Sequence, residues 1–187
     1  MDEATAAFDE YEYTRALDRT ETFFWSFCDD YLELIKQRRY GVDGDAAAQS
    51  ANCALQAAMS VMLRLFAPFL PFVSEEVWSW WQTGSVHRAA WPASSDIATL
   101  IGQRSPEAAQ AFRLASEITA RIRQQRSTNK RSFKVPITVV VTADEAQTAL
   151  LARVERDLTS GNNAISLAFS LGSPLDVTVE FMDTPEV

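Results

Sequence analysis

The chain has 187 residues, 47% of them apolar and 22% charged, with a formal net charge of −8, which is enough for one domain with a sizeable core or a domain plus a small appendage. The acidic balance argues against a protein that holds nucleic acid by overall charge alone. No apolar run approaches the ~20 residues of a membrane span, and the acidic start Met1-Asp2-Glu3 does not read as a secretory signal.

Tyr13 to Arg39 is predicted as one long helix, since Leu17, Phe24, Cys28, Tyr31 and Ile35 recur on one face, with Gly41 and Gly44 ending it. The helical run before it, Glu3 to Phe8, starts without a cap and is expected to be a helix cut in its middle. Asp45 is expected to cap a helix reaching Ala67, with Leu55, Met59, Met62 and Phe66 on its covered face and Pro68 as its stop. Pro68-Phe69-Leu70-Pro71-Phe72 is expected to be a buried corner. Ser74 should cap a third helix, with Glu75 and Glu76 in its first turn and Val77, Trp78 and Trp81 inward, ending near Gly84.

Residues 85–104 read as a connection. Ser105-Pro106-Glu107 then opens a fourth helix that runs to about Arg126, with Phe112, Ala115, Ile118 and Ile122 toward the core. Pro136 to Val141 reads as a strand, and Asp144 to Ser160 as a helix with Leu151, Val154 and Leu158 inward and Gly161 at its left-handed cap. Residues 165–169 and 177–181 alternate as half-buried strands. The fold class is α+β, mainly α: an antiparallel helical bundle at 1–132 and a small β-α-β-β unit at 133–187.

Nothing in the sequence assembles a catalytic site. His87 is the single histidine, Ser85-Val86-His87 lacks an accompanying acid or oxyanion motif, and no phosphate-cradling glycine loop occurs. Cys28 and Cys53 read as reduced core thiols without metal-ligand spacing. No catalytic residue, metal or cofactor is expected here. The charge pattern is more informative. Residues 1–103 carry 15 acids and 7 bases, whereas residues 104–187 carry 10 of each. From Ile118 to Ala143 there is no acid, while Arg121, Arg123, Arg126, Lys130, Arg131 and Lys134 form a local cationic stripe.

Three dense strings stand out: Trp25 to Lys36 (with Phe27-Cys28-Asp29 and Tyr31-Leu32-Glu33), Leu63 to Trp78, and Ser85-Val86-His87-Arg88 followed by Trp91-Pro92. Together they resemble the anticodon-binding bundle of the valyl-tRNA synthetases, within the class I aminoacyl-tRNA synthetases. The second string alone would equally fit the isoleucine and leucine enzymes. The resemblance covers nearly the whole chain and implies tRNA, in particular valine tRNA, as partner. It also implies the catalytic domain of a longer parent chain, ATP and Mg²⁺ for that parent, and a cytoplasmic setting. The family's His-Ile-Gly-His and Lys-Met-Ser-Lys-Ser type signatures do not occur in these residues, so chemistry is not expected of them. The helix that opens the family's bundle is expected to be missing, as is the long C-terminal arm. The groove left by that helix, lined by Phe23, Phe24, Phe27, Leu55 and Met59, invites self-association.

Candidate RNA contacts are Lys36, Arg38 and Arg39 at the end of the long helix, Arg64 and Arg88 flanking the proline corner, and Arg121, Arg123, Arg126, Lys130 and Arg131 in the cationic stretch. Trp25 and Tyr40 are candidate stacking platforms. Most apolar positions in the strings need no role beyond core packing, and Asp29, Glu33, Glu75 and Glu76 read as solvated by default. A helical module that binds another protein is the alternative from a different class.

Overall fold

The computed structural model describes residues 1–102 and 105–182. In chain order its elements are α1 (Asp2–Asp9), α2 (Tyr13–Ser26), a π-helical turn (Phe27–Leu32), α3 (Glu33–Arg39), α4 (Asp45–Phe66), α5 (Pro71–Ser79), a 3₁₀ turn (Val86–Arg88), α6 (Ser94–Ile101), α7 (Pro106–Thr128), β1 (Ile137–Ala143), α8 (Glu145–Leu151), α9 (Glu155–Gly161), β2 (Ala164–Leu171) and β3 (Asp176–Phe181). The class is mainly α with a small sheet, as the sequence indicates. The chain falls into two compact units. Met1–Asp29 and the chain from Gly44 through α6 form the first, and Asp30–Asp43 with the chain from Ser105 through β3 form the second. Grouped this way, α3 and α7 belong with the sheet, which differs from a division at 132/133.

In the first unit, α1, α2 and α4 bury alanines: Ala4, Ala7, Ala16, Ala51 and Ala57 are all 2% exposed or less. Such small contact residues let helices approach closely and leave the long side chains outside. The expected face of α4 is therefore wrong in part: Val61, Met62 and Leu65 are buried, but Met59 is 43% exposed and Leu55 only half-buried. Phe8 packs against Phe69 (5.5 Å between ring centroids) and Trp91 (4.9 Å), whose indole N–H donates to Thr5 Oγ1 at 2.9 Å. Trp78 fills a second pocket with Ala67 and Val86.

Four other expectations for this unit fail for local reasons. Gly44, at φ +89°, is the N-cap of α4, and Asp45 is already the first helical residue. α5 starts at Pro71, a proline at the first helical position, so the Ser74 N–H already donates to Leu70 O at 3.0 Å and Ser74 caps nothing. That start points Ser74 and Trp78, four residues apart, inward, and it leaves Leu70 49%, Phe72 88% and Val73 61% exposed. The proline corner is thus not buried. Finally, residues 85–104 are not merely a connection, since they hold the 3₁₀ turn and α6.

In the second unit, the sheet order is β2-β1-β3, with β1 parallel to β2 and antiparallel to β3. Ile137, Val139, Val141 and Ala143 alternate into the core against Leu151, Leu158, Val177 and, from α3 and α7, Leu34, Ala115, Ile118 and Ile122. Each fully buried Ile, Leu or Val contributes about 1.5–3 kcal/mol. Ser105 caps α7 by accepting from Ala108 N at 3.1 Å, as its sequence promises. Asp144 and Gln147 form a reciprocal capping box on α8.

Two expectations for this unit, and one for the helical run that leads into it, are corrected. The single helix over 144–160 is two helices, separated around Ala152–Val154, each burying one leucine, Leu151 or Leu158. Gly161 ends α9 without a positive φ; its value is closeness, because a Cβ there would lie 3.0 Å from Leu34 Cα and 3.2 Å from Glu33 O. The left-handed residue is Asn163, at φ +52°. The run from Tyr13 to Arg39 is helical throughout, but its middle six residues are a π turn, so one uninterrupted α-helical face does not exist.

Candidate nucleic-acid interface

The last turn of α3 carries Lys36, Arg38 and Arg39, where cations favour the negative end of the helix dipole. Their surroundings separate them. Arg38 is tied to Asp157 at 3.1 Å with both side chains largely covered. Burial raises the Asp157 carboxyl above its ordinary value, and Asp43 adds to that; Arg38 pulls it back only partly. Burial likewise raises the Tyr31 phenol, with Arg38 again opposing. Lys36 lies 3.4 Å from Glu33 in an exposed pair worth little. Arg39 is exposed with no ion-pair partner among the described residues, and Tyr40 beside it is 71% exposed.

The three arginines of α7 also have three different fates. Arg121 pairs with Glu117 at 2.7 Å and donates to Leu175 O at 3.0 Å. Arg123 is exposed and donates to Asp30 Oδ1 at 3.2 Å. Arg126 is only 4% exposed, and its guanidinium donates to Ser132 O and Val135 O, both at 2.8 Å, and to Asn162 O at 3.1 Å. Its burial lowers its pKa. An arginine so enclosed organises the following loop and cannot meet a phosphate, so the expectation for Arg126 is corrected. Nearby, Gln125 donates to Val177 O at 2.6 Å and accepts from Val179 N at 3.2 Å, engaging the free edge of β3.

The connection from α7 to β1 is exposed. Lys130 has a left-handed backbone, φ +53°, and lies open to solvent, as does Lys134. Arg131 rests over the Phe181 ring at 5.9 Å. Between them stands Phe133, 54% exposed, with the Arg126 guanidinium 5.4 Å from its ring centroid. Phe133 was not among the expected stacking residues, although an aromatic flanked by Arg131 and Lys134 in an acid-free stretch was a visible signal.

In the other unit, Arg64 is a structural brace: it donates to Ser60 O at 3.0 Å and Ala90 O at 3.2 Å, and lies 3.4 Å from Asp96, with its side chain 12% exposed. Arg88 is exposed on the 3₁₀ turn. Ser85 Oγ donates to the Glu75 carboxylate at 2.9 Å and accepts from His87 N at 3.2 Å, so this serine fixes the turn, and Glu75 is an acid beside it that the sequence pattern did not show. His87 Nε2 sits 3.2 Å from Pro71 O. Trp25 is 59% exposed, set edge-on to Phe24 at 5.2 Å. Trp80, at 70% exposure with its indole N–H on Glu76 at 3.1 Å, is a second exposed aromatic that the sequence reading passed over.

Among the expected contacts, those left open without an ion-pair partner among the described residues are therefore Arg39, Tyr40, Lys130, Trp25 and Arg88; Lys134, Phe133 and Trp80 are further exposed side chains. Cations that grip phosphates beside aromatic faces suited to unstacked bases are the working parts of a single-stranded RNA surface. No helix among the described residues is long and apolar enough to cross a membrane.

Residues 1–141 match the family described as the anticodon-binding domain of tRNA ligase. The chain is 46% identical over 170 residues to the valine–tRNA ligase of Salinispora tropica, covering 84% of this chain and 20% of that protein. It is 47% identical over 176 residues to that of Cutibacterium acnes (91% and 19%), and 44% over 181 residues to that of Thermobifida fusca (96% and 20%). The chain spans about a fifth of the length of the curated relatives it matches.

Proposed function

The chain belongs to the anticodon-binding domain family of tRNA ligases, and from that premise we propose that it is the tRNA-recognising part of a valine–tRNA ligase. What carries the reading is identity of 44–47% to valine–tRNA ligases over 84–96% of this chain. In this reading a longer cytoplasmic enzyme adenylates valine with ATP and Mg²⁺ and esterifies it to valine tRNA. These residues position the anticodon arm and make no bond.

Phosphate contacts set the register, and splayed bases on aromatic or guanidinium planes supply discrimination. The open cations Arg39, Lys130 and Lys134 suit the first task, and Tyr40 and Trp25 the second. The acidic body keeps such binding weak and salt-sensitive. With about four phosphates engaged, log K falls with log salt at a slope near −3.

The test is a titration of the chain with valine tRNA, isoleucine tRNA and valine tRNA carrying a changed anticodon. Tighter binding of the first is expected, together with no valine-dependent ATP–pyrophosphate exchange by the chain alone. Equal affinity for all three tRNAs would overturn the proposal. Preference for isoleucine tRNA would reassign the parent. We propose also that the isolated chain self-associates through the expected groove, of whose lining Phe23 (49%) and Met59 (43%) are exposed and Phe24, Phe27 and Leu55 half-buried. A monomer in sedimentation at high concentration would refute it.

A further inference from the structure

We infer that the connection between α7 and β1, residues 129–136, is a base-indifferent docking point for single-stranded RNA, with Phe133 as stacking platform and Lys130 and Lys134 as phosphate contacts. The inference rests on RNA being the partner and adds a contact that does not depend on anticodon sequence.

The first observation is a ring held out in water by a loop that cannot fold it away. Phe133 is 54% exposed. Its own carbonyl accepts from Asn163 Nδ2 at 3.1 Å and that of Lys134 from the same nitrogen at 3.2 Å. Ser132 O and Val135 O are both held by the buried Arg126. Four consecutive carbonyls, from Ser132 to Val135, are thus turned onto protein donors. The loop enters through Lys130, whose N–H donates to Ser127 O at 3.0 Å in the left-handed turn that closes α7.

The second observation is what surrounds the ring. The Arg126 guanidinium lies 5.4 Å from its centroid, the attraction expected between a cation and an aromatic face. Lys130 and Lys134 are exposed within a stretch, Ile118 to Ala143, that contains no acid. Lys130 and Lys134 lie three residues before and one after the ring, so one short exposed loop offers an aromatic face for a base and two cations for phosphates. Stacking on it tolerates any base, because every base has a π face. A protein partner would need both an apolar pocket for one ring and carboxylates for its neighbours.

The experiment uses the whole chain and fluorescence anisotropy with two labelled probes, an unstructured uridine decamer and a ribose-phosphate decamer without bases. The wild type is expected to bind the uridine decamer about tenfold more tightly than the abasic one. Phe133→Leu should erase that preference while leaving abasic binding unchanged, and Phe133→Trp should restore it. Unaltered amide signals of β1 establish that the variants are folded. Equal binding of both probes by the wild type, or a preference that survives Phe133→Leu, overturns the inference. So does Phe133-dependent binding of an acidic peptide at equal strength. Failure of anticodon discrimination with the uridine preference intact would remove the proposed function and leave this site standing.

Discussion

Replacing Arg126 with leucine is expected to destabilise the sheet-containing unit by about 3 kcal/mol. The side chain is 4% exposed and serves three carbonyls. Ser132 O keeps a second donor, Val135 N at 3.1 Å, so the loss falls on Val135 O and Asn162 O, which have no other donor among the described residues. A stranded buried acceptor costs about 1–3 kcal/mol; the buried Asn162 carbonyl bears this in full and the part-buried Val135 carbonyl a share of it, about 2–5 kcal/mol together, and no longer burying a cation offsets part of this. Arg126→Lys should recover only a minor share, because one ammonium cannot fork to carbonyls on three sides. The measurement is a urea titration followed on the amide signals of Val139 and Val141, local to this unit, with ΔG taken by linear extrapolation. A loss below about 1 kcal/mol for the leucine variant would refute the reasoning, since it would mean the freed carbonyls find partners elsewhere.

Gly161→Ala would place a Cβ 3.0 Å from Leu34 Cα; overpacking against backbone is expected to cost about 1–3 kcal/mol, read as a lower Tm, and an unchanged Tm would contradict the close approach. Gln125→Ala should free Val177 O and Val179 N on β3, and faster hydrogen exchange at Val179 than in the wild type checks it. Asp157 has its folded pKa raised, chiefly by burial; the stability this group contributes is therefore fully present below its unfolded value and is lost as pH rises through its folded value. The stability of the wild type relative to Asp157→Asn should accordingly increase on acidification through that window, and a relative decrease would show that the Arg38 pairing outweighs burial.

Features set by adjacent residues were legible in the sequence. The Ser105-Pro106 start of α7 depends on a few residues in a row, and the strand alternation of β1 on period two. Where two local signals competed, the weaker-looking one decided: Pro71 at a helix start moved α5 three residues upstream of Ser74, burying Ser74 and leaving Phe72 and Val73 in water, while Trp78 stayed inward as expected. The π turn escaped notice because Cys28, Tyr31 and Ile35 also satisfy α-helical spacing. Nothing in Ala152-Arg153-Val154 forbids a helix, and only packing divides α8 from α9. The interface was the least legible part. Arg123, Arg126 and Lys130 are indistinguishable as text, yet one is enclosed because Asn162, thirty-six residues on, offers it a carbonyl. Exposure of Phe133 has the same remote origin, in the amide of Asn163.

The contact of Gln125 with β3 also bears on how copies of this unit could join. Of the two outer strands, β3 has Val177 O and Val179 N occupied by a side-chain amide. β2 pairs with β1 along one side and with no strand on the other among the described residues, and it exposes Ile165 (62%) and Leu171 (74%). A sheet with a single usable border can meet its own kind only border to border, which uses up both borders at once. Strand-to-strand assembly then closes at two copies, whereas a sheet open on both sides could grow without limit. Freeing β3 by removing the glutamine amide would turn a self-terminating geometry into one able to propagate.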